Sequence, residues 1–93
     1  MASVAGALVR RLRMDAGINM NQLARVLGRD ARYVSDIENG NRELELFEFI
    51  AFAKALNQDS REMLRQLQVD FAAARQLRSL QSNPQEAEGG PAT

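Results

Sequence analysis

The sequence predicts an all-α protein of five helices with an extended last helix, and three observations carry that prediction. Apolar residues recur at three- and four-residue steps through most of the chain, and no stretch alternates as a half-buried strand would. Residues that suit helix ends, namely Gly17, Gly28, the pair Asn39-Gly40 and Asn57, stand where each apolar stripe runs out. Beyond Ser60 one helical pattern runs to about Leu80 before the composition turns to Pro, Gly, Ala and Glu.

In chain order, Val4, Leu8 and Leu12, with Val9 beside them, mark one face of a first helix that ends near Gly17. Asn19 suits the N-cap of a second helix, with Leu23, Ala24 and Leu27 inward and Gly28 closing it. Asp30 suits the N-cap of a third, which carries Val34 and Ile37 and stops at Asn39-Gly40. Residues 41–45 read as a loop. A fourth helix follows on Leu46, Phe49, Ile50, Ala53 and Leu56; Phe49 and Phe52 share a face and Phe47 is rotated away from it. Asn57 to Asp59 breaks the pattern, and Asp59 or Ser60 caps the fifth helix. The organisation expected is a helix-turn-helix domain over residues 1–67, an extension of the last helix over 68–82 and a disordered tail over 83–93.

Composition removes several function classes. The chain has no cysteine and no histidine, so thiol nucleophiles, disulfides, the commonest general base and the commonest metal ligand are all missing. No catalysis, metal or cofactor is expected. No apolar run reaches the roughly 18 residues of a membrane span, and Met1 to Leu8 is too short and too weakly apolar for a secretory segment. The net charge is zero, but it is unevenly spread. Residues 1–35 carry six arginines against Asp15 and Asp30, a net of +4; residues 36–62 carry Arg42, Lys54 and Arg61 against seven acids, a net of −4. Such a dipole orients a protein on a polyanion without a high isoelectric point.

The segment from Met20 to Asn39 is the informative one. Ala24 is small where two steeply crossing helices approach, and Gly28, four residues later, suits a short turn that needs positive φ. Leu23, Leu27, Val34 and Ile37 supply the shared core. A small residue, glycine at plus four, and apolar residues at plus ten and plus thirteen describe a helix-turn-helix; an αα-hairpin within a plain bundle is the bland alternative. Arg32, in the first turn of the third helix on the face opposite Val34 and Ile37, can pair bidentately with guanine and is the leading candidate for base readout. Tyr33 either meets phosphate or a thymine methyl, or packs partly inward. Asp36, four residues after Arg32, shares its face; it either accepts from a cytosine amine or orients Arg32. Leu64, Leu67, Phe71 and Ala74 step by 3, 4 and 3 in a short heptad-like stripe along the last helix, which Leu77 and Leu80 continue imperfectly. The distal part has too little partner surface in so short a chain, and dimerisation or packing back on the domain would cover it.

The residues Leu12-Arg13, Ala16-Gly17-Ile18, Gln22-Leu23-Ala24, Leu27-Gly28, Tyr33-Val34-Ser35 and Ile37-Glu38-Asn39-Gly40, with Arg42 after them, resemble the lambda-repressor-like, Cro/CI-type helix-turn-helix regulators of the XRE family. Phe49-Ile50 and Ala53-Lys54-Ala55-Leu56 resemble that family's fourth helix, and the likeness covers about residues 5–67. It implies a five-helix lambda-repressor-like fold that reads operator DNA as a homodimer in the cytoplasm of a bacterial or phage-infected cell. The third helix would enter the major groove with Ala31, Arg32, Tyr33 and Asp36 toward the bases. Asn21, Gln22 and Arg29, then Asn39, Asn41 and Arg42, would grip phosphates on either side; Asn39 is equally suited to be a plain helix cap. Arg13 and Glu38 would form a structural ion pair. The chain departs from the family at Met20, where glutamine is usual, and at Ala31, Arg32 and Asp36. Met20, Ala31, Asp36 and the zero net charge favour a rival reading, a protein-interaction module such as an adaptor or antitoxin-like partner on the same fold, and the basic first 35 residues disfavour it. An additional protein partner is compatible with either.

Overall fold

A computed structural model of the chain describes residues 3–81. The order is α1 (Val4–Asp15), α2 (Met20–Leu27), α3 (Ala31–Glu38), α4 (Leu46–Ala55) and α5 (Ser60–Gln81), with no strand among the described residues. The expected tail over 83–93 lies outside those residues.

Local chemistry sets the helix ends. Asn19 accepts the Gln22 backbone N–H at 2.8 Å while the Gln22 side-chain oxygen accepts the Asn19 N–H at 2.8 Å, so two of the unpaired donors at the start of α2 are satisfied reciprocally. Asp30 accepts the Tyr33 N–H at 3.0 Å at the start of α3. Asp59 accepts from the Arg61 and Glu62 backbones and starts α5. At the other end of α2, Gly28 takes φ 71°. The Arg29 N–H then reaches back to the Ala24 carbonyl at 2.8 Å. The same closure recurs after α3, where Gly40 takes φ 76° and the Asn41 N–H reaches the Asp36 carbonyl at 2.9 Å.

The core is built from Leu8 and Val9 of α1, Leu23 and Ala24 of α2, Tyr33, Val34 and Ile37 of α3, Phe49, Phe52 and Ala53 of α4, Leu56, and Met63 of α5. Leu12, Leu27 and Leu67 are half-buried against it. α2 packs chiefly on α3 at the small residue Ala24, and α1 packs on α3 and α5. Gly6 is where α1 touches the end of α3: a Cβ there would lie 2.8 Å from the Glu38 carbonyl oxygen and nearer still to that of Ile37.

α4 corrects one expectation. Leu46 and Ile50, expected inward, are exposed, while Phe49, Phe52, Ala53 and Leu56 face the core. The helix carries apolar residues on every side, so three- and four-residue spacing fits two faces equally, and the larger aromatic face wins the interior. Phe47 is 82% exposed, on the outward side. No described helix is long and apolar enough to cross a membrane.

Candidate nucleic-acid interface

α3 is held at both ends. Arg13 of α1 donates from Nε to Glu38 Oε2 at 2.6 Å and from Nη2 to Oε1 at 3.1 Å, and its Nη1 donates to the Ile18 carbonyl at 3.0 Å. The pair is buried, with side-chain exposures of 10% and 1%. It joins α1, the turn before α2 and the last residue of α3. The hydrogen bond that Arg13 donates to Glu38 raises the Arg13 pKa further above its ordinary value, against the opposing effect of burial.

The first turn of α3 is fixed differently. Tyr33 is buried and stacks on Phe52 with ring centroids 5.9 Å apart. Its hydroxyl donates to Glu48 Oε2 at 2.7 Å, and Arg42 Nη2 donates to the same oxygen at 2.6 Å. The Arg29 and Arg42 guanidiniums lie 3.9 and 4.9 Å from the Tyr33 ring centroid, within cation–π reach. Burial, and then the bond to Glu48, push the Tyr33 pKa up to about 12. Burial would raise the Glu48 carboxyl, but the Glu45 N–H, Arg42 and Tyr33 bonds outweigh it and hold the group at about 2. Tyr33 therefore stands apart from the other sequence candidates for base readout. Its ring is interior and its hydroxyl already engaged, so it underlies the surface made by Arg29 and Arg42. Glu48, which sequence reasoning missed, is the residue that joins them.

The remaining candidates form an outward face. Arg32 is exposed at the start of α3, half-buried Asp36 lies one turn on, and no ion pair links them. Ala31 is half-buried beside them. Asn21 and Gln22 are exposed at the start of α2, where free backbone N–H groups and the helix dipole favour an anion; the Gln22 oxygen is committed to its cap. Asn39 is the C-cap of α3, and its side-chain amide donates to Ser35 Oγ at 3.2 Å. Asn41 and Arg42 follow, both exposed.

Charge pairing sharpens this face. Arg11, Arg13, Arg42, Arg61 and Arg65 each pair with an acid. Among the described residues Arg25, Arg29 and Arg32, all at the α2–α3 corner, have no acidic partner; Arg10, Lys54 and Arg75, elsewhere, have none either. Residues 25–36 carry these three arginines against Asp30 and Asp36, a net of +1 around the turn. No cluster of three or more acidic side chains among the described residues is arranged to hold a metal ion.

Leu67 of the α5 stripe packs on the chain's own core, with Met63 buried one turn earlier, a core residue the stripe did not include. Leu64, Phe71 and Leu77 are exposed, and Ala74 is half-buried. Phe71 and Leu67 line a groove of about 540 Å³ with Val4 and Ala5 of α1.

Residues 4–67 match the family model described as a helix-turn-helix domain. The XRE-family like protein from Pseudomonas syringae is 35% identical with a TM-score of 0.62, over 71% of this chain and 84% of that one. The restriction-modification controller protein C.AhdI from Aeromonas hydrophila is 34% identical with a TM-score of 0.59, over 62% of this chain and 84% of that one. The clp gene regulator ClgR from C. glutamicum is similar in fold, with a TM-score of 0.66 at 24% identity, over 76% of this chain and 87% of that one. The curated proteins gave no match.

Proposed function

Because the chain belongs to the XRE-type helix-turn-helix family of DNA-binding regulators, we propose that it represses transcription as a homodimer bound to an operator in duplex DNA. α3 lies in the major groove. Arg32 reads a base edge, Ala31 allows close approach, and Asp36, one turn on and not paired with Arg32 in the free protein, repels misplaced phosphate. Asn21, Gln22 and Arg29 meet the backbone before α3, and Asn39, Asn41 and Arg42 meet it after. Tyr33 supports this surface from beneath. The protein works in the cytoplasm, and regulation is by occupancy of the site.

The observation that carries the reading is the cluster of Arg25, Arg29 and Arg32, left without acidic partners at the α2–α3 corner although the chain is neutral overall. The exposed Phe71 and Leu77 on α5 support the dimer, because two protomers are needed to address two half-sites. In this arrangement residues 1–67 are the reading domain and the extension over 68–82 the pairing element.

Titration of a labelled duplex at rising salt tests the proposal. Two protomers neutralise roughly six to ten phosphates, and log K falls against log salt by about 0.9 per phosphate. A binding constant that stays flat from low to physiological salt refutes groove docking. The exposed Phe47 and Ile50 on α4 would then favour the protein-interaction reading.

A further inference from the structure

Two arginines lie against the Tyr33 ring, and they differ in one respect. Arg29, in the turn before α3, has no acidic partner among the described residues. Arg42, after α3, is bound to Glu48 at 2.6 Å. Glu48 is itself immobilised. One oxygen accepts from Arg42 and from the Tyr33 hydroxyl, and the other accepts the Glu45 backbone N–H at 2.9 Å at the start of α4. A guanidinium has five N–H donors in one plane. Glu48 engages Nη2 alone, and the Arg42 side chain remains 43% exposed, so most of its donors still face outward. Arg42 keeps its hydrogen-bonding edge, while its charge is balanced and its direction fixed.

We propose that Glu48 is a positioning residue that sets DNA specificity: it cancels the charge of Arg42 and fixes the guanidinium against Tyr33, so that the clamp after α3 supplies aim instead of attraction. This rests on the DNA-binding reading above. Phosphates are alike in every sequence, so an unpaired arginine strengthens binding to any duplex. A paired and stacked arginine releases few counterions. Its outward donors are satisfied only when a phosphate arrives at one place, which penalises a misaligned docking more than an aligned one. Arg29, unneutralised on the same ring, supplies the attraction that Arg42 does not. The rigid planar fork of arginine suits this use, since little freedom remains to be lost when the phosphate binds.

The test compares the full-length wild type with Glu48→Gln, Arg42→Gln and the double variant. The probes are a duplex selected by the wild type from a random-sequence pool and a scrambled duplex of equal length, each titrated between low and physiological salt. Glu48→Gln is expected to bind the scrambled duplex more tightly and to lower the selected-to-scrambled ratio by about threefold or more, because a freed arginine attracts without aiming. Its salt slope should steepen by about 0.9 per protomer, the signature of one newly charged phosphate contact. Arg42→Gln alone should change the slope by much less, and the double variant should return it to the wild-type value. A parallel loss of affinity for both duplexes in Glu48→Gln, with no change of slope, would mean a merely structural role and overturn the proposal. So would a full loss of about 0.9 in Arg42→Gln, an outcome readable even where circular dichroism shows Glu48→Gln unfolded. Wild type that fails to bind either duplex in a salt-dependent way overturns the DNA-binding reading itself. Wild-type binding with an inert Glu48→Gln overturns only the role of Glu48.

Discussion

Glu38→Gln tests whether α3 is held in place by the buried pair beneath it. Glu38 is 1% exposed at its side chain and accepts two bonds from Arg13, at 2.6 and 3.1 Å. Glutamine keeps the size and one acceptor oxygen but removes the charge, so the nine-tenths-buried Arg13 side chain is left with neutral acceptors alone, that oxygen and the Ile18 carbonyl at 3.0 Å. Breaking one side of a buried ion pair costs about 3–5 kcal/mol, because the remaining charge is stranded out of water. A domain of this size has about 4–12 kcal/mol of stability in total, so the loss is a large share of it. At about 4 °C or more per kcal/mol, the melting temperature should fall by at least about 12 °C. The assay is thermal and urea unfolding by circular dichroism, with Arg13→Met plus Glu38→Leu as the control. Replacing both charges with apolar groups of similar volume removes the stranded charge, and the double variant should regain most of the loss. A Glu38→Gln variant within about 1 kcal/mol of wild type, or a double variant no more stable than the single one, would refute the claim that this pair holds the helix.

Gly6→Ala should destabilise by about 1–3 kcal/mol, measured by urea unfolding, because the added Cβ collides with the carbonyl oxygens that end α3; a gain, as alanine normally brings in a helix interior, would refute that close approach. Glu48 titrates at about 2 in the folded state against an ordinary 4.5, so its contribution is complete above pH 4.5 and is lost as the pH falls toward 2; the difference in urea midpoint between wild type and Glu48→Gln should hold from neutrality to pH 4.5 and close below it. Phe71→Glu with Leu77→Glu should leave the fold intact but shift sedimentation to the monomer and weaken operator binding, since both side chains are exposed on the unpartnered part of α5. Arg32→Ala should cost about 1–3 kcal/mol, mostly in discrimination between operator and scrambled duplex, whereas Asp36→Asn should tighten binding to both; equal affinity for all three proteins would remove α3 as the reader.

The helical framework was legible because its signals are local. Asn19 and Asp30 act as caps, and Gly28 and Gly40 adopt the left-handed conformation at the ends of α2 and α3, all within a few residues of the apolar steps that define each helix. Local signals do not choose between two apolar faces. α4 has Leu46 and Ile50 on one side and Phe49 and Phe52 on another, and only packing against α2 and α5 decides which pair is buried. Gly6 was invisible for a related reason. Inside a helix a glycine is mildly unfavourable, and nothing in the neighbouring residues says that the end of α3 passes against it.

The candidate interface shows where residue type stops being informative. Arg29, Arg32 and Arg42 are the same residue within a short stretch, and the sequence assigns them by distance from α3 alone. The structure separates them by their partners: Arg32 free in solvent, Arg29 on an aromatic ring, Arg42 on the same ring and on a carboxylate. That carboxylate comes from α4, six residues beyond Arg42, in a segment whose acids read from composition as a negative end opposed to DNA. Tyr33 is the same case from the other side. Its place in the first turn of α3 fits outward contact or partial packing equally, and Phe52 and Glu48, both on α4, decide it by drawing the ring and the hydroxyl inward. Summing charge over a segment therefore misjudges this protein. Glu38 and Glu48 take Arg13 and Arg42 out of the charge count, and Arg25, Arg29 and Arg32, without acidic partners among the described residues, keep theirs at the α2–α3 corner.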